Sequence, residues 1–378
     1  MQCRAAILTG FPSTAPFAVS RPLSIETVTL ADPGPGEVLV RIAAAGLCHS
    51  DLSVINGDRA RPMPMALGHE ASGLVERCGP GVDDLRPGDP VAMVFMPSCG
   101  CCAPCAEGRP ALCEPGAAAN AAGTLLSGAT RITWQGAPVH HHVGVSAFAE
   151  YAVVSRRSLV AVPPEMPLDL AALFGCGVLT GVGAAVNTAE IRPGETAAVV
   201  GLGGVGLSAV LGALAAGAAE VIALDVNPAK RAAALDLGAT AAFDAGDPDC
   251  EAKVREATRG GVHAAIETAG VAAAFSLAWG ITRRGGRTVT ASLPNPAVRM
   301  NIPHVMMVGE ERTIRGSYLG GGVPSRDIPR YMALQAQGRL PVEKLMTGSS
   351  PLAEINESFD LLARGDAIRH LITMEGAR

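Results

Sequence analysis

The sequence predicts an α/β protein in which a mostly-β region precedes a doubly wound parallel sheet. Between residues 1 and 165, short β-type runs alternate with turns rich in Gly and Pro, such as the Pro-Gly-Pro-Gly segment at 33–36, which is typical of an irregular, barrel-like unit. From about residue 168 onward, apolar strand runs alternate with Ala-rich helical stretches. This alternation predicts βαβ units and a parallel sheet.

The hydrophobic pattern places the main elements along the chain. The mostly-β region contains predicted strands at 37–42, 73–77 and 90–95. The second region contains predicted strands at 196–201, 220–225, 241–243, 264–268 and 286–291, and predicted helices at 205–216, 228–237 and 272–281. Helices at 328–337 and 355–364 and a strand at 370–374 are predicted to close the chain.

The composition favours a globular, cytoplasmic protein. The 378 residues are enough for two domains, and the 48% hydrophobic share is enough for a sizeable core. A net charge of −5 argues against a nucleic-acid binder that relies on a general basic field. No apolar run reaches the roughly 18 residues that span a bilayer, and the N-terminal residues lack the apolar segment of a secretory signal.

A glycine-rich turn follows the strand predicted at 196–201. The turn comprises Gly201, Gly203, Gly204, Val205 and Gly206, and its first, second and last glycines fit G-x-G-x-x-G. This pattern allows a tight turn, close approach of a pyrophosphate and close packing of a helix whose N-terminus attracts phosphate. Asp225 ends the next predicted strand, where a carboxylate binds the adenosine ribose and repels a 2′-phosphate. These features predict a Rossmann unit that binds NAD, with a plain strand-to-helix turn as the alternative.

Four cysteines with close spacing form a candidate metal cluster. They are Cys99, Cys102, Cys105 and Cys113, in the pattern C-x2-C-x2-C-x7-C, and Cys101 lies off this spacing. Four thiolates on a short segment can close a tetrahedral zinc site, which is typical of structural zinc. The spacing fits neither a ferredoxin-type iron–sulfur cluster nor a zinc ribbon that pairs two distant C-x2-C knuckles. We therefore predict a structural zinc, with free thiols as the alternative.

Three further candidate ligands are widely separated: Cys48 in Cys-His-Ser-Asp, His69 in Gly-His-Glu and Cys176 in Gly-Cys-Gly. Taken singly, such a residue is more often packed in a core than bound to a metal. Their order along the chain, together with Gly-His-Glu-Ala-Ser-Gly at 68–73, the cysteine cluster and the glycine-rich turn, resembles that of the zinc-dependent medium-chain alcohol dehydrogenases. The resemblance covers essentially the whole chain.

This resemblance implies a division of labour between two domains. It implies a GroES-like, zinc-binding catalytic domain at 1–177 and 321–378 and an NAD-binding Rossmann domain at 178–320. It further implies that Cys48, His69 and Cys176 hold a catalytic zinc with an open fourth position, in addition to the structural zinc. The implied reaction passes a hydride from a zinc alkoxide to NAD and runs in reverse with an aldehyde or ketone. The family forms homodimers or homotetramers, with no nucleic acid or membrane as a partner.

The resemblance also implies roles for residues near the catalytic zinc. Ser50 matches the hydroxyl that accepts the alcohol proton, Asp51 the carboxylate that orients the ligand imidazole, and Glu70 the acid behind the zinc. Surface positions for the two carboxylates are the alternative. Ser53 stands where many members have a histidine, so proton exit through Ser53 and water, through the cofactor ribose or through His49 stays open.

Further cofactor and substrate contacts follow from the same resemblance. His49 and Arg369 match pyrophosphate contacts, and Lys230 matches a contact to the adenosine ribose, with solvated surface positions as the alternative for the last two. Phe95 and His142 are expected to line the substrate pocket, with a plain surface position as the alternative for His142. His142 ends a run of three histidines, and because neighbours in an extended chain point to opposite faces, the run is not expected to share a metal.

The motifs around Cys48 and Cys176 resemble the liver-type and glutathione-dependent formaldehyde dehydrogenase branch. S-(hydroxymethyl)glutathione is therefore an alternative substrate, but that branch has an arginine shortly after the cysteine cluster, and residues 115–119 contain none. Residues 114–142 depart most from the family pattern and are expected to determine substrate choice. A polyol dehydrogenase, a zinc-free reductase of the same superfamily and a non-enzymatic zinc-binding interaction protein are less favoured, because the three separated ligands are present and a basic patch is not.

Overall fold

The chain divides into two units in the computed structural model, which describes residues 1–374. The first unit contains Met1–Cys176 and Val323–Pro329 and continues from Met346 onward. The second unit contains Gly177–Gly322 and Arg330–Leu345. The first is mostly β and the second is a parallel sheet with helices, so the fold class predicted from the sequence is confirmed.

The elements of residues 1–374 are numbered in chain order. The strands β1 to β18 are Gln2–Leu8, Leu23–Leu30, Glu37–Gly46, Met65–Ala66, Ala71–Cys78, Pro90–Met93, Ile132–Trp134, Ala137–His141, Tyr151–Ser155, Leu159–Ala161, Thr196–Val200, Glu220–Asp225, Ala241–Asp244, Val262–Glu267, Thr282–Thr290, Thr313–Gly316, Met346–Pro351 and Arg369–Thr373. The α-helices α1 to α13 are Phe17–Ser20, His49–Ile55, Ala103–Ala106, Glu114–Ala122, Leu168–Ala172, Gly177–Gly183, Gly204–Ala215, Pro228–Asp236, Cys250–Ala257, Ala272–Ile281, His304–Gly309, Pro324–Ala336 and Ile355–Arg364.

The first unit contains a closed barrel and a larger sheet. The barrel has the strand order β1-β2-β7-β8-β4, and β4 pairs back with β1. The sheet has the order β10-β6-β5-β3-β18-β17, and β9 also pairs with β3. Strand β3 is central to this sheet, so its sequence, EVLVRIAAAG, is almost entirely buried. Large apolar side chains such as Phe148 and Phe359, whose rings meet edge to face, fill the adjoining core, and each such side chain contributes roughly 1.5–3 kcal/mol by burial.

The second unit is a six-stranded parallel sheet with the order β13-β12-β11-β14-β15-β16. In register, Val199 of β11 lies between Ala223 of β12 and Ile266 of β14. The strand order reverses direction at β11, where β12 lies on one side and β14 on the other, and a dinucleotide binds beyond the carboxyl ends of the strands at such a point. The small and β-branched side chains of β11 suit a strand that is buried on both faces.

Most predicted elements are present, and their differences have local causes. Helices α10 and α13 have the predicted bounds. Helix α12 begins at Pro324, four residues before the predicted start, because proline is preorganised for the first turn of a helix. Strand β15 begins at Thr282 and continues past Gly285, which has a φ of +69° and gave a turn signal in the sequence. Helix α4 was not predicted, because its Pro, Gly and Asn obscure its helical pattern.

Across residues 1–374, no single helix is long and apolar enough to cross a membrane. Leu168–Gly175 and Gly177–Thr188 meet the length and composition requirements only as a bent pair, and most of their residues are buried.

Candidate functional site

Three segments of the first unit bring Cys48, His69 and Cys176 together. Cys48 immediately precedes α2, His69 lies between β4 and β5, and Cys176 follows a short 3₁₀ turn at Leu173–Gly175. The two sulfurs and the imidazole nitrogen all lie within 4.8 Å of one another, and all three residues are buried. The fold therefore joins the three ligands that the sequence left far apart.

Two glycines next to these ligands are required by close packing. Gly68 has a φ of +95°, and a Cβ atom at this residue would lie 2.5 Å from the backbone nitrogen of Phe148. A Cβ atom at Gly175 would lie 2.0 Å from the carbonyl oxygen of Met93. Real contacts of this kind are not tolerated, so His69 and Cys176 reach the site only because a glycine precedes each of them.

The donor set and its electrostatics fit a catalytic zinc ion. Two thiols and one imidazole that leave a fourth position open are the ligands of zinc in this type of site. A hydrogen bond with the Cys176 thiol holds the pKa of Cys48 well below its usual value, and the same contact raises the pKa of Cys176. The pair thus favours a thiolate at Cys48, which is the form that binds a metal.

Asp51 lies directly behind His69. Its carboxylate is fully buried, accepts a hydrogen bond of 3.2 Å from the backbone N–H of Gly68 and lies 3.1 Å from Nδ1 of His69. Because an ionised carboxylate can only accept hydrogen bonds, it places the His69 proton on Nδ1 and leaves Nε2 for the metal. The structure thus places Asp51 in contact with His69, and its role in orienting a metal ligand stays a prediction.

Glu70 and Arg369 form a buried ion pair close to Cys48 and Cys176. Nη1 of Arg369 lies 3.3 Å from Oε2 of Glu70 and 3.4 Å from the carbonyl oxygen of Leu47. Burial alone lowers the pKa of Arg369, but Glu70 and the sulfurs of Cys48 and Cys176 outweigh burial and raise it. Arg369 was predicted to contact the cofactor pyrophosphate, and that contact stays a prediction, since its side chain contacts Glu70, Leu47 and Cys48 in the first unit. No local signal in the sequence pointed to this pair.

The four-cysteine cluster forms a second candidate metal centre. Its sulfurs, those of Cys99, Cys102, Cys105 and Cys113, all lie within 4.8 Å of one another. Backbone N–H groups of Cys101 and Cys102 donate to the Cys99 sulfur and lower its pKa to about 6. The sulfur of Cys101 lies 3.7 Å from that of Cys99 but is exposed, and none of the ten cysteines forms a disulfide. Four converging sulfurs fit a closed, structural zinc site.

The glycine-rich turn lies between β11 and α7 in the second unit. Gly201 has a φ of +95°, and a Cβ atom at Gly206 would lie 1.8 Å from the carbonyl oxygen of Gly201. The position of a Cβ atom at Gly203 has no atom within 4 Å, so the backbone is open to a ligand at this point. No side chain caps the N-terminus of α7, which leaves backbone N–H groups available to a phosphate.

Asp225 ends β12 beside this turn. Oδ2 accepts the Leu202 N–H at 2.6 Å and Oδ1 accepts the Asn227 N–H at 2.8 Å, so the carboxylate is held in a defined position. Lys230 lies in the first turn of α8 and is half-buried. The turn, Asp225 and Lys230 are thus placed at the carboxyl ends of neighbouring parallel strands.

The remaining predicted residues surround the first candidate metal centre. Ser50 is half-buried and His49 is exposed in the first turn of α2. The ring of Phe95 meets that of His69 edge to face, with 5.4 Å between the ring centroids. His142 is also edge to face with His69, at 5.5 Å, and is buried.

Sequence reasoning missed two polar residues that organise the carboxyl end of the second sheet. Thr268 donates its hydroxyl hydrogen to the Gly201 carbonyl oxygen at 2.6 Å. The buried carboxylate of Glu267 accepts hydrogen bonds from the Gly270 N–H and from the hydroxyls of Thr290 and Ser292. Both residues follow from the rule that polar groups gather where parallel strands end.

Comparisons with known proteins agree with this geometry. Residues 34–164 match the family model of the alcohol dehydrogenase GroES-like domain, and residues 204–337 match that of the zinc-binding dehydrogenases. Among solved structures, an alcohol dehydrogenase zinc-binding domain protein from Burkholderia ambifaria is 36% identical, with 99% of each chain covered and a TM-score of 0.92. Benzyl alcohol dehydrogenase from Acinetobacter calcoaceticus is 29% identical, with the same coverage and TM-score.

A third structure bears on the cofactor. A zinc-binding dehydrogenase from Sinorhizobium meliloti bound to NADP is 26% identical, with 99% of each chain covered and a TM-score of 0.79. The two family models together span most of this chain, and the match to zinc-binding dehydrogenases supports an oxidoreductase that uses zinc and a nicotinamide cofactor. The chain belongs to the zinc-dependent medium-chain alcohol dehydrogenase family.

Proposed function

We propose that this protein is an NAD-dependent zinc alcohol dehydrogenase that transfers a hydride between NAD and an alcohol/aldehyde or ketone pair. The observation that carries the proposal is that the buried side chains of Cys48, His69 and Cys176 lie together, with their ligand atoms within 4.8 Å of one another. When bound there, zinc supplies Lewis-acid activation of the substrate oxygen and lowers the pKa of its hydroxyl. The four-cysteine cluster is assigned a second, structural zinc, which gives two zinc ions per subunit.

Ser50 is proposed to receive the proton of the alcohol. A serine hydroxyl can accept one proton while it donates its own, which suits a relay. Ser53 lies one helical turn further along α2, and its hydroxyl donates to the His49 carbonyl oxygen at 2.8 Å. That bond occupies the Ser53 proton within the helix, so His49 and the cofactor ribose are the favoured routes of proton exit. Glu70 is proposed to act behind the metal, with Arg369 balancing its charge at 3.3 Å.

The preference for NAD is inferred from the end of β12. The Asp225 carboxylate there would repel the 2′-phosphate of NADP. The basic residue next to it, Arg231, directs Nη1 to the carbonyl oxygens of Asp225 and Val226 and lies 3.3 Å from Asp244, so its charge is already balanced. The NADP bound in the Sinorhizobium meliloti relative makes NADP the alternative. Lys230, His49 and Arg369 are proposed as further cofactor contacts.

The substrate is proposed to be a simple alcohol or aldehyde rather than the glutathione adduct. Phe95 and His142, whose rings both contact that of His69, are proposed to line the substrate pocket. The first basic residue after Cys113 is Arg131, and its Nε donates to Glu37 at 2.7 Å within the first unit. A cation that is already paired in this way does not suit recognition of the glutathione carboxylate. S-(hydroxymethyl)glutathione therefore remains the second candidate.

We also propose that the protein forms a homodimer or homotetramer through the edge of the second unit. Strand β16 is an edge strand of that sheet, and α11, which precedes it, exposes Val305 and Val308 at 76% and 70%. Exposed apolar side chains next to an open strand edge favour association with another surface.

The test is NAD reduction with a panel of primary, secondary and aromatic alcohols, with formaldehyde plus glutathione as one member. Benzyl alcohol belongs in the panel because a similar structure is a benzyl alcohol dehydrogenase. We expect turnover of plain alcohols that is indifferent to glutathione. Activity with the glutathione adduct alone would support the second candidate, and no turnover across the panel by protein shown to hold zinc would contradict the proposed substrate class.

A further inference from the structure

His142 contacts the same carboxylate that holds the zinc ligand His69. Nδ1 of His142 lies 3.1 Å from Oδ1 of Asp51, and Nδ1 of His69 lies at the same distance from that oxygen. The two imidazole rings are nearly perpendicular, at 87°, with centroids 5.5 Å apart. A single buried carboxylate thus lies between two buried imidazoles.

The contact between Nδ1 of His142 and Oδ1 of Asp51 has the distance of a hydrogen bond but not its alignment. The N–H of His142 does not point directly at the oxygen, and within the described residues Nδ1 has no other hydrogen-bond partner. His142 is 3% exposed, so water does not readily replace the carboxylate as a partner. The 3.1 Å distance between Nδ1 and Oδ1 is already that of a hydrogen bond, so alignment requires a change of ring orientation and not of separation.

The backbone at His142 is held by its neighbours in the chain. The backbone N–H of His142 donates a hydrogen bond of 2.9 Å to the hydroxyl oxygen of Ser146. Val143 has a φ of +45° and Ser146 a φ of +56°, in the left-handed region that residues other than glycine rarely adopt. Backbone strain of this kind persists where the surrounding structure requires it, and it gathers at functional sites.

The tautomer of His142 follows from the same geometry. An ionised carboxylate can accept a hydrogen bond but cannot donate one, so the His142 nitrogen that faces Asp51 must carry the hydrogen. In the neutral imidazole, Nε2 of His142 is then the unprotonated nitrogen. His142 and His69 therefore both present Nδ1–H to Asp51.

We propose that His142 is a positioning residue for the catalytic zinc: it donates Nδ1–H to Asp51 and so holds the carboxylate where it orients His69. This inference rests on the proposed zinc site of Cys48, His69 and Cys176. Partners of metal-bound histidines commonly change metal affinity 10–100-fold when they are removed. His142 would act one step further from the metal, because its hydrogen bond would go to Asp51 and not to the zinc ligand His69.

The experiment uses three substitutions that separate the two ring nitrogens. His142→Phe keeps the ring and removes both nitrogens, His142→Asn places an amide N–H near the position of Nδ1, and His142→Gln places one near that of Nε2. His140→Phe is the matched control, because His140 is a neighbouring histidine without a contact to Asp51. The zinc content of each purified protein is measured after dialysis against graded concentrations of a chelator, and its melting temperature is recorded.

We expect His142→Phe and His142→Gln to lose one of two zinc ions at roughly tenfold lower chelator concentration than the wild type. His142→Asn and His140→Phe should hold zinc as the wild type does. Wild-type retention in His142→Phe would overturn the inference, and so would rescue by Gln but not by Asn.

A His69→Ala variant separates this inference from the proposed function. Loss of one zinc ion from His69→Ala combined with wild-type retention in His142→Phe would overturn only the role of His142. Retention of two zinc ions by His69→Ala would overturn the zinc assignment and the role of His142 together.

Discussion

The two cysteine-containing sites of the first unit are built in opposite ways. The four-cysteine cluster lies between residues 99 and 113, and its backbone N–H groups solvate its own sulfurs. Cys48, His69 and Cys176 come from three separate segments, are buried and are supported by the side chain of Asp51. The first site can be assembled by a short loop, whereas the second exists only once the sheet around it has formed.

The difference teaches which site serves stability and which serves chemistry. A closed set of four sulfurs leaves no position for a substrate, so a metal bound there would contribute only folding energy. Three ligands leave one position open, and the burial around them strengthens every electrostatic interaction with a substrate. Substitutions in the two sites should therefore affect different measurements.

The largest effect is expected from removal of a ligand in the separated site. Cys48→Ala or Cys176→Ala should lower kcat by roughly 10³-fold or more, because Lewis-acid activation is worth several kcal/mol and each 1.36 kcal/mol is a factor of ten. Binding of NAD, measured by fluorescence titration, should be unchanged. Turnover that persists in either variant would refute the assignment of the catalytic zinc.

Removal of a ligand from the cluster should instead lower stability. Cys105→Ser should lose one zinc ion and melt on the order of 10 °C lower, because loss of a structural metal is among the most destabilising single changes. Cys101→Ser is the matched control, since Cys101 is exposed and lies off the ligand spacing. Equal melting temperatures and zinc contents for the two variants would show that the cluster is not a metal site.

Acidification should destabilise the barrel, which contains neither set of ligands. Burial lowers the pKa of His141 to about 4, although the nearby charge of Glu37 acts to raise it. Nε2 of His141 accepts a hydrogen bond of 3.0 Å from the backbone N–H of Arg131. The unfolded chain has a His pKa near 6.5, so it binds the proton more readily. The contribution of neutral His141 to the free energy of unfolding is therefore fully present above pH 6.5. It is lost, by up to about 3 kcal/mol, as the pH drops to about 4.

Glu37 also makes the free energy of unfolding fall as the pH is lowered. Burial raises its pKa, but hydrogen bonds from Arg131, Ser127 and the Gly34 N–H outweigh burial and hold the pKa below its usual value, so its contribution is lost at still lower pH. Comparison of the melting temperatures of the wild type and His141→Leu at pH 7.5 and 5 isolates the histidine from any release of zinc by acid. An identical pH dependence in the two proteins would contradict the prediction for His141.

The smallest effect is expected in the second unit. Asp225→Ala should relax the preference for NAD over NADP by about tenfold, because one nearby negative charge is removed. Both zinc ions and the melting temperature should be nearly unchanged. The ratio of kcat/KM for the two cofactors measures the effect, and an unchanged ratio would show that Asp225 does not read the ribose.

Residues whose chemistry depends on local spacing can be placed from the amino-acid sequence alone. The glycine-rich turn and the four-cysteine cluster each lie within one short segment, so their spacing already limits the geometry. Arg369 and Glu70 pair across most of the chain, and the approach of His142 to Asp51 joins the end of the barrel strand β8 to helix α2. Such contacts leave no periodic or compositional trace, because neither partner restricts the identity of its own sequence neighbours.

The sequence by itself determined the fold class, the glycine-rich turn and the spacing of the four-cysteine cluster, because backbone propensities and short-range spacing act within a few residues. Only the tertiary structure decided that Cys48, His69 and Cys176 meet, that Gly68 and Gly175 are needed for them to do so, and that Asp51 lies between His69 and His142. Contacts of this kind arise when long-range strand pairing buries polar groups together, and a buried polar group is tolerated only where the folded chain supplies its partner.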